Sequence, residues 1–249
     1  MGMMVRSRLA PGRAPATRVG VWALGAVLLL VLLAVACGGG GDEEATPSPG
    51  ATVAPTGTPS AVEQQLTGMV LQLSDLPDGF SVAQEGFSTN EEVAGEGEDA
   101  AEVLAKLTEW GRILSRGVVF ESSAESGVLL VDSTVSLYEA DSGAAASFAD
   151  AVDSARATDW QANAGGATNV AVEEMPPLDV ADEMLWLRIS GTAQFGDPPS
   201  EKPFIQDVIL MRVGRGRGSV SIVTSAIDAA PLVEELVRAQ AANMAAGLE

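Results

Sequence analysis

Residues 60–249 carry two kinds of hydrophobic pattern, one with the period of a helix and one with the period of a strand. Ser60 followed by Glu63 forms a capping box, which predicts the start of a helix. The apolar residues that follow fall on one helical face, namely Val62, Leu66, Met69, Val70 and Leu73. The turn residues of DLPDGF predict that this helix ends at Ser74 or Asp75.

Strict alternation then predicts strands, each with one buried face. The first covers residues 80–87. In RILSRGVVFES the buried stripe is Leu114, Val118 and Phe120. In GVLLVDSTVSLYEA one face carries Leu129, Val131, Val135 and Leu137, and the other carries Asp132, Thr134, Ser136 and Tyr138. The intervening SSAESG is a hairpin connection.

A helix capped by Asp141 or Ser142 is predicted to end near Arg156. Its apolar stripe consists of Ala145, Phe148, Ala149 and Val152. Trp160 lies in the long loop that follows, where it either plugs the core, the favoured interpretation, or lines a rim.

The last third predicts a short strand near residues 170–172 and the strand EMLWLRISGTAQ, which directs Leu185, Leu187 and Ile189 inward. FIQDVILMRV and GSVSIVTSA then form a hairpin around GRGRG. A final helix starts at Asp228 or just before Pro231, buries Leu232, Leu236 and Met244, and ends at Gly247. These elements predict an α+β domain, with an antiparallel sheet of five to six strands and helices packed on one face.

Six acidic residues crowd positions 91–102 in STNEEVAGEGEDAAE, and their repulsion predicts a mobile loop before a short helix at residues 100–110. A calcium site is the alternative. The ordered Asp and Asn spacing and the trailing glutamate of a calcium loop are missing, so a solvated loop is preferred.

Residues 1–36 have the order of a signal peptide. A basic start with Arg6, Arg8, Arg13 and Arg18 precedes an apolar run over residues 19–36, which stops at Cys37 and four glycines. Residues 37–59 are rich in Gly, Pro, Thr and Ser and read as a linker. We therefore divide the chain into a leader (1–36), a linker that begins with Cys37 (37–59) and one globular domain (60–249).

Cys37 is the only cysteine, and it follows Ala34, Val35 and Ala36. This stretch resembles a bacterial lipobox, although the family usually has Leu at the position of Ala34. The resemblance implies cleavage before Cys37, diacylglycerol on its sulfur, and a lipid-anchored domain that faces outward from the cell membrane. Two acyl chains hold a protein stably, whereas one does not. The alternative is an uncleaved anchor, because 18 apolar residues just suffice to span a bilayer.

The chain has 14 basic and 34 acidic residues, a net charge of −20, and no histidine. Removal of the leader takes away four arginines and leaves 10 minus 34, or −24. This charge argues against nucleic acid and anionic headgroups as partners. Without histidine or a second cysteine, an intramolecular disulfide, most nucleophile and base pairs, and nearly all transition-metal sites cannot form. We expect no catalysis, cofactor or metal.

Arg212, Arg215 and Arg217 lie around the glycine-rich turn of MRVGRGRG. Its amides and guanidinium groups could contact a phosphate or carboxylate. The alternative, which we favour, is a hairpin tip whose arginines offset the surrounding negative charge.

The order of elements over residues 66–246 resembles the sensor-like lipoproteins of bacterial envelopes. It is carried by DLPDGF after the first helix, DSTVSLYEADSGAAASFADAV, the late hairpin and the terminal helix. That group includes extracellular domains of receptor-type serine/threonine kinases, many of which carry cysteines that this domain lacks. The resemblance implies a noncatalytic ligand-binding or sensing module, with a pocket between sheet and helices or under the acidic segment. A structural or protein-interaction component of the envelope is the alternative. An enzyme would need a compact pair of buried carboxylates in a cleft.

Overall fold

The computed structural model describes residues 59–96, 99–122, 127–195, 200–225 and 229–249. The predicted leader, Cys37 and nearly all of the linker lie outside these ranges. Within them, no helix combines the length and apolar character needed to cross a membrane.

Seven strands form one antiparallel sheet in the order β1-β2-β3-β7-β6-β5-β4. This confirms the α+β class, with more strands than the five to six predicted. Strand β4 corresponds to the short strand predicted near residues 170–172 and is longer than predicted. In chain order the elements are α1 (Ala61–Met69), a 3-10 turn (Leu73–Asp75), β1 (Phe80–Ser88), α2 (Asn90–Gly95), α3 (Ala100–Glu109), β2 (Arg112–Ser122), β3 (Val128–Tyr138), α4 (Asp141–Ala157), β4 (Thr168–Met175), β5 (Glu183–Phe195), β6 (Ser200–Val213), β7 (Gly216–Thr224) and α5 (Ala230–Leu248).

Helices cover both faces of the sheet, so the prediction that they pack on one face is wrong. On the first face, α1 and α5 form a core that includes Leu66, Val118, Phe120, Val135, Leu137, Trp186, Ile222, Leu236 and Met244. On the second face, α4 packs on Leu185, Leu187, Ile189 and Val208 of β5 and β6. The reason is visible in β5, where Trp186 faces one core and its neighbours face the other. A strand that is apolar on both sides requires cover on both sides.

Helix α1 starts with the predicted capping box, in which the Glu63 amide donates to the Ser60 hydroxyl at 3.2 Å. It ends at Met69, earlier than predicted, because buried side chains form hydrogen bonds with the backbone of Met69 and Leu71 in place of a further helical turn. Gln240 Nε2 donates to the Met69 carbonyl at 2.7 Å, and the Leu71 amide donates to Ser133 Oγ at 2.9 Å. The Ser133 hydroxyl donates in turn to Gln240 Oε1. Leu73, predicted on the buried face, is consequently 47% exposed.

The acidic segment contains a helix, α2, where the sequence predicts a loop. A second capping box starts it, with the Glu92 amide donating to Thr89 Oγ1 at 3.2 Å and the Thr89 amide to Glu92 Oε2 at 2.8 Å. Ala94 packs on Val103 and Leu107 of α3, the predicted short helix. The acidic side chains of α2 are exposed, so solvent reduces their repulsion and a local cap is enough to order the turn.

Helix α4 has the predicted length, but its buried face is rotated by about one residue. The buried residues are Ala144, Ser147, Phe148, Ala151 and Ala155, whereas Ala149, predicted to be buried, is exposed. Gly143 sets this rotation, because a Cβ there would lie 1.9 Å from the Trp110 carbonyl oxygen. A close backbone contact thus fixes the helix, and it turns the polar Ser147 inward.

Three other predictions are confirmed and one is corrected. Trp160 plugs the core beside α4, and its ring nitrogen donates to the Ala155 carbonyl at 3.1 Å. The late hairpin is β6 with β7, and α5 buries Leu236 and Met244. In β3, Val128 is buried where Leu129 was expected, because the pairing register shifts between Val128 and Leu130.

Candidate functional site

A cleft of about 350 Å³ opens on the second face of the sheet, over β1, β2, β3 and β7. Residues of α3 and α4 form its walls, among them Val103, Leu107 and Ala151, and Trp110 lines it as well. On the first face, β2, β3 and β7 lie beneath the core that α1 and α5 complete. The volume is in the range of small-molecule sites.

The floor of the cleft consists of three rows of paired residues that run from β1 through β2 and β3 to β7. We call them the small row, the acid row and the arginine row. The small row lies in the middle and contains Gly86, Gly117, Thr134 and Ser219. Because none of these residues has a large side chain, the row leaves open space above the sheet.

The acid row contains Gln84, Val119, Asp132 and Ser221. Asp132 is only 6% exposed. Within the described ranges its one hydrogen bond comes from Thr134 Oγ1 at 3.3 Å, and it forms no ion pair. Burial raises the pKa of Asp132 to about 6, and the Thr134 hydroxyl opposes this shift. The carboxylate is therefore largely ionised at neutral pH, although it is buried and has no cationic partner among the residues that the structure describes.

The arginine row contains Ser88, Ser115, Ser136 and Arg217, and Arg112 lies beside it. Arg112 is 6% exposed. Its Nη1 donates to Asn90 Oδ1 at 2.7 Å, and its Nη2 donates to the Ser115 hydroxyl. Burial lowers the pKa of Arg112 to about 10, Tyr138 opposes this shift, and the nearby Arg217 adds to it. Arg112 is thus a buried cation whose described hydrogen-bond partners are all neutral oxygens.

Arg217 supplies a second guanidinium group. Its Nη1 donates to Ser147 Oγ at 3.0 Å, and the same serine oxygen accepts the Tyr138 hydroxyl at 2.6 Å. Neither Arg112 nor Arg217 forms an ion pair with any residue that the structure describes. Arg112 and Arg217 thus lie near each other with no carboxylate partner among the described residues, although the chain has a net charge of −20.

The structure gives the three arginines of MRVGRGRG different surroundings. Arg212 forms ion pairs with Asp182, at 3.1 Å, and with Glu183. Arg215 Nη1 donates to the Tyr138 carbonyl at 3.2 Å. Arg217 alone of the three lines the cleft. Contact with an anion stays a prediction, and Arg217 is the residue of this set that is placed for it.

Sequence reasoning missed Arg112 and Asp132 as site residues. The sequence places Asp132 on the polar face of β3. The signal that could have identified it as a site residue is a charged side chain in the middle of a strand, in a sheet whose second face is also covered by helices. No pattern in the neighbouring sequence marks Arg112 as a site residue. Its place beside Arg217 depends on strand pairing between distant parts of the chain.

Asp132 is the one buried acid among the described residues that line the cleft. Asp150, on the α4 wall, is partly exposed and lies 3.7 Å from Lys106 Nζ. No group of three or more Asp, Glu, His or Cys residues placed to hold a metal ion occurs in the described part of the chain. The arrangement offers charge and hydrogen-bond complementarity to a polar molecule.

A second depression, of about 470 Å³, lies between the end of α4 and β4. It is more open to solvent than the cleft. Three of the described residues that line it are charged: Arg156 and Glu174, which bond to each other at 2.8 Å, and Asp159, whose Oδ1 accepts a hydrogen bond from the Ala162 amide at 3.1 Å. All three are exposed to solvent, whereas Asp132 and Arg112 of the cleft are buried, so the cleft is the better candidate.

Among solved structures, the extracellular domain of PknH from Mycobacterium tuberculosis aligns with 74% of this chain and 94% of its own length. The TM-score is 0.47 and the sequence identity is 10%. No protein-family model and no curated protein sequence matches the chain. At this distance, the comparison transfers no residue, ligand or activity.

Asp132→Asn is expected to stabilise the protein near neutral pH. An acid whose pKa is higher in the folded than in the unfolded state contributes stability at low pH, which is lost as the pH rises through the folded value. For Asp132 this pH window runs from 3.8, the ordinary pKa of the group, to about 6, its pKa in the folded protein. The stability lost across it amounts to at most about 3 kcal/mol, and the neutral amide avoids the loss.

Denaturant unfolding between pH 4 and pH 8 measures this effect. The stability of Asp132→Asn relative to the unaltered protein should rise between pH 4 and pH 7 and then level off. Glu235→Gln on the exposed side of α5 removes the same charge and should show no such rise. A difference that does not depend on pH would contradict the assignment.

Proposed function

We propose that the protein is a noncatalytic ligand-binding or sensing module that takes up a small polar molecule in the cleft. The observation that carries the proposal is the pair of unmatched charges, Asp132 and Arg217, on either side of a floor of small residues. A lipid on Cys37 tethers the module to the cell membrane, and the domain faces outward.

The unmatched charges support binding because buried charges are costly unless they are paired. Asp132 has one neutral hydrogen-bond donor, and Arg112 and Arg217 have neutral acceptors. A ligand that brings complementary groups forms charge-assisted hydrogen bonds, which are stronger than bonds between neutral groups. The fold already holds both charges in place, so little ordering is needed upon binding.

The alternative function, a structural or protein-interaction component of the envelope, predicts a filled interior. The cleft favours the binding module, because space remains between the small row and the walls. The predicted tether is compatible with both functions, since a flexible linker lets the domain search the region outside the membrane.

Gly86→Leu is expected to weaken binding at least tenfold and to leave the fold intact. Gly86 lines the cleft, and a Cβ there meets no atom within 4 Å, so a side chain can leave the backbone at this position and take up space in the cleft. Gly68→Leu is the matched control, because Gly68 also has open space and lies on the exposed side of α1. A tenfold loss corresponds to about 1.4 kcal/mol.

The measurement has two steps on the full chain purified in detergent. Native mass spectrometry detects any copurified molecule, and a thermal-shift screen of free amino acids, short peptides, sugars and phosphate finds binders. Titration calorimetry then compares both variants for each binder. The proposal fails if no molecule binds, or if Gly86→Leu and Gly68→Leu bind equally well.

Cys37→Ser is expected to abolish both acylation and leader cleavage, because the cysteine sulfur is the atom that accepts diacylglycerol. Cells fed a labelled fatty acid should label the unaltered protein and leave the variant unlabelled, and mass spectrometry should show that only the unaltered protein loses residues 1–36. An unlabelled native protein, or a variant that is trimmed and retained in the same way, would indicate a plain single-span anchor.

A further inference from the structure

Two of the three unmatched charges of the cleft, Asp132 and Arg217, lie at a defined separation. Asp132 is paired with Ser221, and Ser136 is paired with Arg217. The charged positions are therefore four residues apart along the strand direction and one strand apart across the sheet, which corresponds to about 14 Å between Cα atoms. Their side chains leave the same face of the sheet, and the small row lies between them.

The Asp132 end of the cleft favours a cation. The carboxylate is buried, and its described hydrogen bond comes from a neutral hydroxyl. A protonated amine would supply hydrogen bonds and positive charge together, whereas a sugar hydroxyl would supply only a hydrogen bond. Lys106, on the opposite wall, lies near Glu102 and Asp150, which offset its charge.

The Arg217 end favours an anion. Within the described residues, Arg217 donates only through Nη1, so Nε and Nη2 remain available as the flat pair of donors that suits a carboxylate. Arg112 adds a second positive charge, since its pKa of about 10 keeps it protonated at neutral pH. No described acidic residue forms an ion pair with either arginine.

We infer that the cleft recognises a small zwitterion in an extended conformation, with its amine against Asp132 and its anionic group against Arg217. This inference rests on the proposed function and names the class of ligand. Side chains reach inward from both ends, so the ligand must be shorter than the separation of the Cα atoms. An extended dipeptide or tripeptide, about 7–10 Å long, has the required span.

Trialanine and its blocked forms test the inference by calorimetry on the full chain in detergent. Trialanine carries both charges, N-acetyl-trialanine lacks the amine charge, and trialanine amide lacks the carboxylate. We expect trialanine to bind and each blocked form to bind at least tenfold more weakly. Inorganic phosphate and ethylamine serve as probes for the anion and the cation alone, and both should bind more weakly than trialanine.

Substitutions at Asp132 and Arg217 test which residue contacts each end of the ligand. Asp132→Asn should remove the preference for trialanine over its acetylated form and keep the preference over the amide. Arg217→Gln should remove the preference for trialanine over its amide and keep the preference over the acetylated form. Arg217→Lys should retain much of the preference for the free carboxylate. Glu235→Gln and Arg238→Gln on α5 make the same charge changes outside the cleft and should change neither preference.

The outcomes separate this inference from the proposed function. Equal binding of free and blocked peptides, or binding of phosphate unaffected by Asp132→Asn and as tight as that of trialanine, would overturn the zwitterion and leave a binding module. The same holds if another class of molecule binds and is excluded by Gly86→Leu while trialanine does not bind. If no probe or screened molecule binds, both proposals fail.

Discussion

The alternation of side chains along β3 is the constraint on which the rest of the structure depends. Val131 and Val135 point to the first face and are sealed beneath α1 and α5, while Asp132, Thr134 and Ser136 point to the second. Helices α3 and α4 stand beside this polar strip, because small and polar residues give a helix no apolar surface to bury. The cleft and its unmatched charges follow from that alternation.

The packed face holds the open face in place. Ser133 lies between Asp132 and Thr134 in sequence, and through Gln240 it connects β3 to α5 and to the end of α1. All of these groups are buried, so the network resists displacement of the strand. A ligand therefore meets a floor whose geometry is already set, which is the condition for charge recognition with little loss of entropy upon binding.

Local patterns predict most of the elements, because capping boxes and alternation depend on neighbours in sequence. The box at Ser60 and the stripe on β2 are examples. Features that depend on distant contacts are not predictable in this way. The covering of both faces and the early end of α1 require knowledge of α5, and the rotation of α4 requires the contact of Gly143 with Trp110. Asp132 appears as a polar strand residue, but its burial depends on helices that pack from elsewhere.

The central claim is that β3 is sealed on one face and open on the other. Thr134 and Val135 test it directly, because they are consecutive residues that face opposite sides, one half-buried and the other fully buried. Each is replaced by cysteine in a chain that also carries Cys37→Ser, and the rate of modification by a small methanethiosulfonate reagent is measured. The account predicts that Thr134→Cys reacts in the folded protein, whereas Val135→Cys reacts only as fast as unfolding exposes it. Equally slow reaction at both positions would show that the second face is closed and would contradict the account.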